Sequence, residues 1–449
     1  MIPLRERIKA QHSWFLSGQT HSLRARRQAL STLDRFLRAY REPLSASIHV
    51  VLGRSEDETW QTELVPIHAE IARCRRRLAA WMRPRRRLVW HHGRLCSYET
   101  TREPQGVIAV FGNAAWPLRY TLLPAVDALA AGNCVVLKPA PGQQAFSEIL
   151  SAVIAEAFPA SYVTVVDGDD QLAERLAAEA LSHIVMTGNL VSAGRIMRIA
   201  SRRLTPLTLQ LGGKNPVIVC RDADLDLAAR SILHAKRINC GQDCLAPDYC
   251  LVDEAIMEAF LDRLSWHLRY STTADSLHDP SYQPALDQEQ YIRLRELLPS
   301  GRIVWGGRSN DQTRQIELTV LDRVDYNSPI MRQEVFGPIL PVLGFDSLIG
   351  QVSRLNLLPH PLVAAVFTKR QEDWKLVSKA LMTGQVCLNS LPASLPLAPS
   401  HGAPAPAGHG QYLGYEGFHR FTYEKTLVRD LRFLERRRRG PQAADWYES

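Results

Sequence analysis

From Gly106 onward the chain alternates short apolar runs with amphipathic stretches, and this rhythm constrains its fold more than any other feature. Val107 to Phe111, Val135 to Leu137, Tyr162 to Val166 and His183 to Met186 read as strands. The stretches 118–131, 144–157 and 171–181 between them read as helices. Strand, helix, strand in this order requires crossover connections, so an α/β fold is expected, with a parallel sheet and helices on its faces. Such sheets bind ligands beyond the carboxyl ends of their strands. A second α/β pattern starts at residue 212, with Pro216 to Cys220 as strand, 225–238 as helix, Tyr249 to Val252 as strand and 254–270 as helix. It continues through Leu340 to Leu343, Val363 to Thr368 and Val386 to Leu388, while the proline- and alanine-rich stretch 391–407 reads as a loop.

The first hundred residues read differently. Leu30, Leu33, Leu37 and Tyr40 recur near helical spacing. Leu64, Ile67, Ile71, Cys74, Leu78 and Trp81 step by threes and fours, which draws one apolar stripe along a helix. Pro84 should end that helix, and 85–105 reads as extended.

Length and charge narrow the class. A chain of 449 residues suggests two or three domains. No apolar run approaches the roughly 18 residues of a membrane span. The first residues, Met1-Ile-Pro-Leu-Arg5, contain no signal-peptide core, so a cytoplasmic location is expected. Eight cysteines show no CxxC spacing, so free thiols and no metal site are expected. The net charge of +8 gathers at Arg75 to Arg77, Arg85 to Arg87 and Arg436 to Arg439. Without interleaved aromatics, these runs read as solvated faces and a charged tail; no nucleic-acid partner is expected.

Two phrases carry chemistry. The first, Thr208-Leu-Gln-Leu-Gly-Gly-Lys-Asn-Pro216, sets a glycine pair after a strand-like alternation. The second, Asn239-Cys-Gly-Gln-Asp-Cys-Leu-Ala-Pro-Asp-Tyr249, puts a thiol, Cys244, on a segment rich in glycine and polar residues. A thiolate attacks a carbonyl carbon readily, but a thiol must first be activated by its surroundings. Taken alone, a free cysteine is more often a core residue. On their own, Gly188, Gly212 and Gly213 would read as tight turns.

Together the two phrases resemble the active-site signatures of the aldehyde dehydrogenase superfamily, most closely its class 3 and fatty-aldehyde branch. The resemblance covers almost the whole chain. Phe15-Leu-Ser-Gly-Gln-Thr20 looks like the family's opening, and Gly408-His-Gly-Gln-Tyr-Leu-Gly414 with Phe418 and Phe421 like its C-terminal signature. Ala130-Ala-Gly-Asn-Cys-Val-Val-Leu-Lys-Pro139 is similar to its cofactor-contacting strand, Thr187-Gly-Asn189 to its pyrophosphate turn, and Glu334-Val-Phe-Gly-Pro-Ile-Leu340 to its ribose-holding segment. The resemblance implies two parallel-sheet domains: 1–84 with 106–211 for the cofactor, and 212–394 for catalysis. A small bridging or oligomerisation element would combine 85–105 with 395–449, which lacks the hydrophobic membrane tail of some fatty aldehyde dehydrogenases. It further implies a homodimer oxidising an aliphatic or aromatic aldehyde with NAD or NADP. Cys244 would form a thiohemiacetal and then a thioester, which water hydrolyses. Lys138, Thr187, Gly188, Asn189, Leu211, Gly212, Glu334 and Phe336 would hold the cofactor.

Three positions depart from the family pattern. The oxyanion asparagine is replaced by Ala115, and losing one such donor typically costs about 3–4 kcal/mol in the barrier. Asn113 could take that role only in a rearranged turn. The water-activating glutamate is replaced by Gln210, whose amide orients water but cannot accept its proton near neutral pH. Pro141 stands where the family's ribose-binding glutamate follows the lysine. These changes leave two other readings: a thioester passed to or taken from coenzyme A or a carrier thiol, or a degenerate cofactor-binding member of the family.

Overall fold

The computed structural model describes residues 3–91, 94–271, 277, 282, 287–392, 402 and 404–430. Arg436 to Arg439 and most of 393–403 lie outside them. Three larger sheets, and a two-stranded ribbon of Ser309–Asn310 with Gln315–Ile316, organise the described residues. The first runs, in spatial order, through 408–409, 207–211, 183–188, 107–111, 134–138 and 163–165. Its neighbours are parallel except Gly408–His409, which adds antiparallel to Leu209 and Gln210. The chain enters at 107–111, builds outward to 163–165, then crosses back to 183–188. The strand order therefore reverses between 107–111 and 183–188, where the connecting loops part and leave a crevice at the carboxyl ends.

Helices cover this sheet for the reason the stripes suggest. Ile67, Ile71, Cys74 and Leu78 of Val65–Trp81 are buried, as are Leu30, Leu33 and Leu37 of Leu23–Ala39. They share one core with the strands 107–111, 134–138 and 183–188. Leu64 falls in a short π-helical turn, Trp60–Leu64, that precedes the longer helix. The fully buried strands, with Val, Ile and Leu on both faces, are what a sheet sandwiched by helices needs.

The second sheet orders 302–305, 319–322, 339–345, 249–253, 216–219, 363–367 and 385–388. All neighbours are parallel except the edge strand Arg302–Trp305. That edge and Thr319–Asp322 were not evident in the sequence; the apolar run of Arg302–Trp305 is only three residues long, and the strand is half-exposed.

The third sheet is antiparallel: Arg85–His91, Arg94–Pro104 and Thr422–Asp430. The segment after 395 is thus divided. Gly408–His409 belongs to the first sheet, the short helix Tyr415–Arg420 packs on Pro117–Ala131, and only Thr422–Asp430 joins 85–104. Two buried carboxylates fix the divide. Asp127 accepts the Leu413 N–H at 2.7 Å and Glu70 the Gly414 N–H at 2.8 Å. Seven of the eight cysteines are buried and all are free thiols; Cys96, on the third sheet, is the partly exposed one.

Candidate active site

The carboxyl edge of the first sheet faces the amino edge of the second, and the chemistry-bearing residues collect between them. Cys244 sits in a tight loop that enters the strand Tyr249–Asp253. Asn239, Cys240 and Gly241 all adopt left-handed backbone conformations, with φ of 49°, 50° and 69°. A side chain at 241 would meet the Gly337 carbonyl at 2.5 Å, so glycine is required on both counts.

Side chains directed at backbone hold this loop. Asn215 Nδ2 donates to the carbonyls of Cys244 (2.7 Å) and Ala246 (3.1 Å), while its Oδ1 accepts the Val363 N–H at 3.0 Å. Asn239 Nδ2 donates to the carbonyls of Gln242 and Ala115, each at 3.0 Å. The Ala115 carbonyl also accepts from Arg54 Nη2 at 2.7 Å, which ties the Cys244 loop to the first sheet. Arg54 is ion-paired with Glu63, and both are fully buried. The Glu63 carboxylate in turn accepts the Leu118 and Arg119 N–H groups, at 2.7 and 2.9 Å, capping the helix Pro117–Ala131.

The thiol itself is only 6% exposed, packed with Ala115, Trp116, Tyr120, Leu245, Leu362, Val363 and Ala407. Tyr120 Oη lies 3.2 Å from Cys244 Sγ. Burial, then the neighbouring Asp243, hold the thiol well above its ordinary range; the Tyr120 hydrogen bond and the Arg119 cation pull the other way. A cavity of about 380 Å³ opens beside it, walled by Trp116, Arg119, Ile238, Asp243 and Leu245 among others. Both sequence neighbours of Cys244, Asp243 and Leu245, line this cavity; Cys244 itself does not.

Gln210, buried in the strand Leu207–Leu211, pairs through its backbone with Thr187 and Gly408. Thr187, Gly188, Leu211 and Gly212 all stand at the carboxyl edge of the first sheet, at the end of or just beyond its strands. Asn189 caps the helix Leu190–Ala200, accepting the Ser192 N–H at 2.9 Å. None of Gly188, Gly212 and Gly213 needs a positive φ. Gly212 has a different reason to lack a side chain: a Cβ there would run into the Glu334 carboxylate.

Glu334 lies against that glycine turn, held from below by a second network. Asp248 pairs with Lys214 and accepts the Val335 N–H at 2.7 Å, and Lys214 Nζ donates to the carbonyls of Ile330 and Gln333. Burial, with Asp248 adding to it, pushes the Glu334 carboxyl up to about 8. Phe336 adopts a left-handed backbone at φ 45° and packs beside the thiol cluster. Lys138 stands apart, at the end of Cys134–Lys138, donating to the carbonyls of Pro139 (3.0 Å) and Gly168 (2.6 Å). Burial lowers its pKa, and Asp167, Asp170 and Asp169 counter that.

Asn113 Oδ1 accepts the N–H groups of Ala115 and Trp116, at 2.7 and 3.2 Å, which commits that oxygen to shaping the turn. Sequence reasoning passed over Tyr120, Arg119 and the roles of Asn215 and Arg54. Asn215 was within reach, lying inside the quoted glycine phrase. Nothing in a one-dimensional pattern couples Tyr120 to a thiol 124 residues away.

A model of the aldehyde dehydrogenase family matches residues 5–427. The chain is 30% identical over 425 residues to the 4,4'-diapolycopene-4,4'-dial dehydrogenase of Cytobacillus firmus, covering 94% of this chain and 93% of that protein. It is also 30% identical over 439 residues to the dimeric NADP-preferring aldehyde dehydrogenase of Canis lupus familiaris, covering 96% of each. Among solved structures, the substrate-bound state of Staphylococcus aureus AldH superposes with a TM-score of 0.91 at 27% identity, over 99% of this chain and 96% of that one. The chain belongs to the aldehyde dehydrogenase family, and its reaction is the NAD(P)-dependent oxidation of an aldehyde.

Proposed function

We propose that Cys244 is the nucleophile of this oxidation and that Gln210 occupies the place of the water-activating base. The observation that carries the reading is the position of the Cys244 loop, braced by Asn215 at the Cys244 carbonyl and by Asn239 across to the Ala115 carbonyl, where the two parallel sheets meet. The nucleophile loop brings sulfur to the substrate carbonyl, and the apolar wall of Ala115, Trp116, Leu245 and Phe336 keeps bulk water from the adduct. Gln210 holds water by its carbonyl oxygen without taking a proton, so hydrolysis of the thioester is the slow step.

The residues of the first sheet's carboxyl edge fit a dinucleotide. Glu334 is a buried carboxyl, pushed up to about 8, with the Gly213 N–H and the Lys214 and Arg293 charges around it. Such a group fits the hydroxyl donors of a ribose. Lys138, Thr187, Gly188, Asn189, Leu211, Gly212 and Phe336 complete the proposed cofactor set. When bound, NAD(P)+ supplies the hydride acceptor. Asp167, Asp169 and Asp170 around Lys138 favour NAD+, which lacks the 2′-phosphate of NADP+.

In this reading the first sheet with residues 1–84 forms the cofactor domain, the second the catalytic domain, and the third sheet the subunit contact of a homodimer. Leu88, Trp90 and Val428 are all more than half exposed on that third sheet, an apolar surface suited to a second copy. No helix among the described residues is long and apolar enough to cross a membrane; a cytoplasmic location is proposed with it.

The test is pre-steady-state. Mixing enzyme with excess benzaldehyde and NAD+ should give a burst of about one reduced cofactor per Cys244, followed by slow linear turnover. A linear trace without a burst would place the slow step before the thioester and remove Gln210 from the explanation.

A further inference from the structure

Attack on a carbonyl creates an alkoxide, and the turn Gly112–Trp116 lacks the family's amide at position 115, which is alanine, while Asn113 turns its Oδ1 onto its own backbone. A different donor stands at the sulfur. Tyr120 Oη is 3.2 Å from Cys244 Sγ, and the acceptor Asp243 Oδ1 is at 3.5 Å, the limit of a hydrogen bond. We propose that Tyr120 is a catalytic residue whose hydroxyl holds the oxyanion of the Cys244 adduct, replacing the amide absent at position 115. The proposal rests on Cys244 being the nucleophile.

The step balances without a further reactant. The Cys244 thiol loses its proton to solvent; a sulfur–carbon bond forms as the carbonyl π pair moves onto oxygen. The Tyr120 O–H then donates to that oxygen, which lies only two bonds from the sulfur it touches in the resting enzyme. Burial, Asp243 and the thiol keep Tyr120 un-ionised well above its ordinary range, so it remains a donor across the working pH. The Arg119 guanidinium, 5.7 Å from the centre of the Tyr120 ring, adds positive potential on the same side. It carries no ion pair among the described residues.

The placement of Tyr120 is fixed from both ends. Its N–H bonds the Trp116 carbonyl at 3.2 Å in the first turn of Pro117–Ala131. That turn is anchored by Glu63 from below and, through the Ala115 carbonyl, by Arg54 and Asn239. A donor held this firmly costs no reorganisation when charge develops, which is the condition for strong transition-state stabilisation.

Two reagents separate this role from simple thiol activation. p-Nitrophenyl acetate acylates a thiol through a tetrahedral oxyanion and needs no cofactor; iodoacetamide alkylates it at a saturated carbon with no oxyanion. Tyr120→Phe should slow acylation by about 10²–10³-fold, the usual cost of one oxyanion donor, and alkylation by less than about tenfold. Adding Ala115→Asn to Tyr120→Phe should restore acylation at least tenfold, roughly, by returning the family's donor. Equal losses in both reactions would reduce Tyr120 to a thiol activator, and acylation within about threefold of the parent would remove it from the step. Cys244→Ala serves as the control. Should that variant still be acylated at the parent rate, the nucleophile assignment itself fails, independently of Tyr120.

Discussion

The loop that carries the thiol and the stations that serve its adduct have been treated very differently in this chain. Asn215, Asn239 and Asp248 bind the backbone of residues 239–248 and 335 through many modest hydrogen bonds, and all of this bracing is present. On the proposed assignment, the stations at 115 and 210 each depend on one functional group, and each has lost it. Redundant bonds hold geometry, because no single one carries the structure. A lone carboxylate or amide holds chemistry alone, so its replacement changes the rate and leaves the fold intact. Tyr120 gains its importance from this asymmetry.

The sharpest break of the comparison is removal of the sulfur. Cys244→Ala should lower turnover by roughly 10⁴-fold or more, as loss of a nucleophile does, while the melting temperature stays close to the parent's. Progress curves of NAD+ reduction and a thermal melt read the two effects. A large drop in melting temperature would mean that the thiol is principally a packing element.

Removing a brace comes next. Asn215→Ala leaves the Cys244 and Ala246 carbonyls and the Val363 N–H without their partner. The expected cost is about 3 kcal/mol in a denaturant titration, with turnover lower by about 10²-fold from misplacement of the sulfur. If stability fell and turnover did not, the loop would be positioned by its other contacts and the redundancy would be deeper than proposed.

The same asymmetry explains what the sequence disclosed. Both parallel sheets were legible because fully buried strands must be continuous apolar runs, as in Val107 to Phe111 and Val363 to Phe367. Their partner order was not, because crossovers leave no mark on composition. Arg302–Trp305 escaped notice as a half-exposed edge. The phrases around Cys244 and Gln210 could be read by resemblance, which also located Ala115 as a loss. Its replacement could not be read. Tyr120 meets Cys244 only through the docking of one sheet's carboxyl edge on the other's amino edge, and no local pattern encodes that contact. The Glu334 carboxylate over Gly212 is of the same kind: the sequence offers a glycine that reads as a turn, and folding gives it another purpose.

Restoring the lost base gives a smaller, opposite effect. Gln210→Glu places a carboxylate in a buried site, where desolvation raises its pKa toward the range of a useful base. Steady-state turnover should rise by roughly tenfold while burst amplitude stays at one per site. An unchanged steady state would show that some other group already activates the water, or that product release limits the cycle.

The last effect concerns Glu334, leaves turnover aside and is read as stability against pH. Its carboxyl lies at about 8 in the folded chain against an ordinary value of 4.5. Between those values the unfolded chain releases this proton and the folded chain keeps it, so stability falls as pH rises. Below the lower value both states are protonated and nothing is lost; above the upper both are ionised and the full penalty is in place. Glu334→Gln removes the titration while keeping a group of similar shape over Gly212. The parent's melting temperature should therefore decline relative to that of the variant from about pH 5 to pH 8, then run parallel to it. A gap that stays constant across this range would mean the carboxylate is already ionised over the glycine turn. The proposed ribose contact would then be made by a charged acceptor held by Lys214 and Arg293, with Asp248 outweighed.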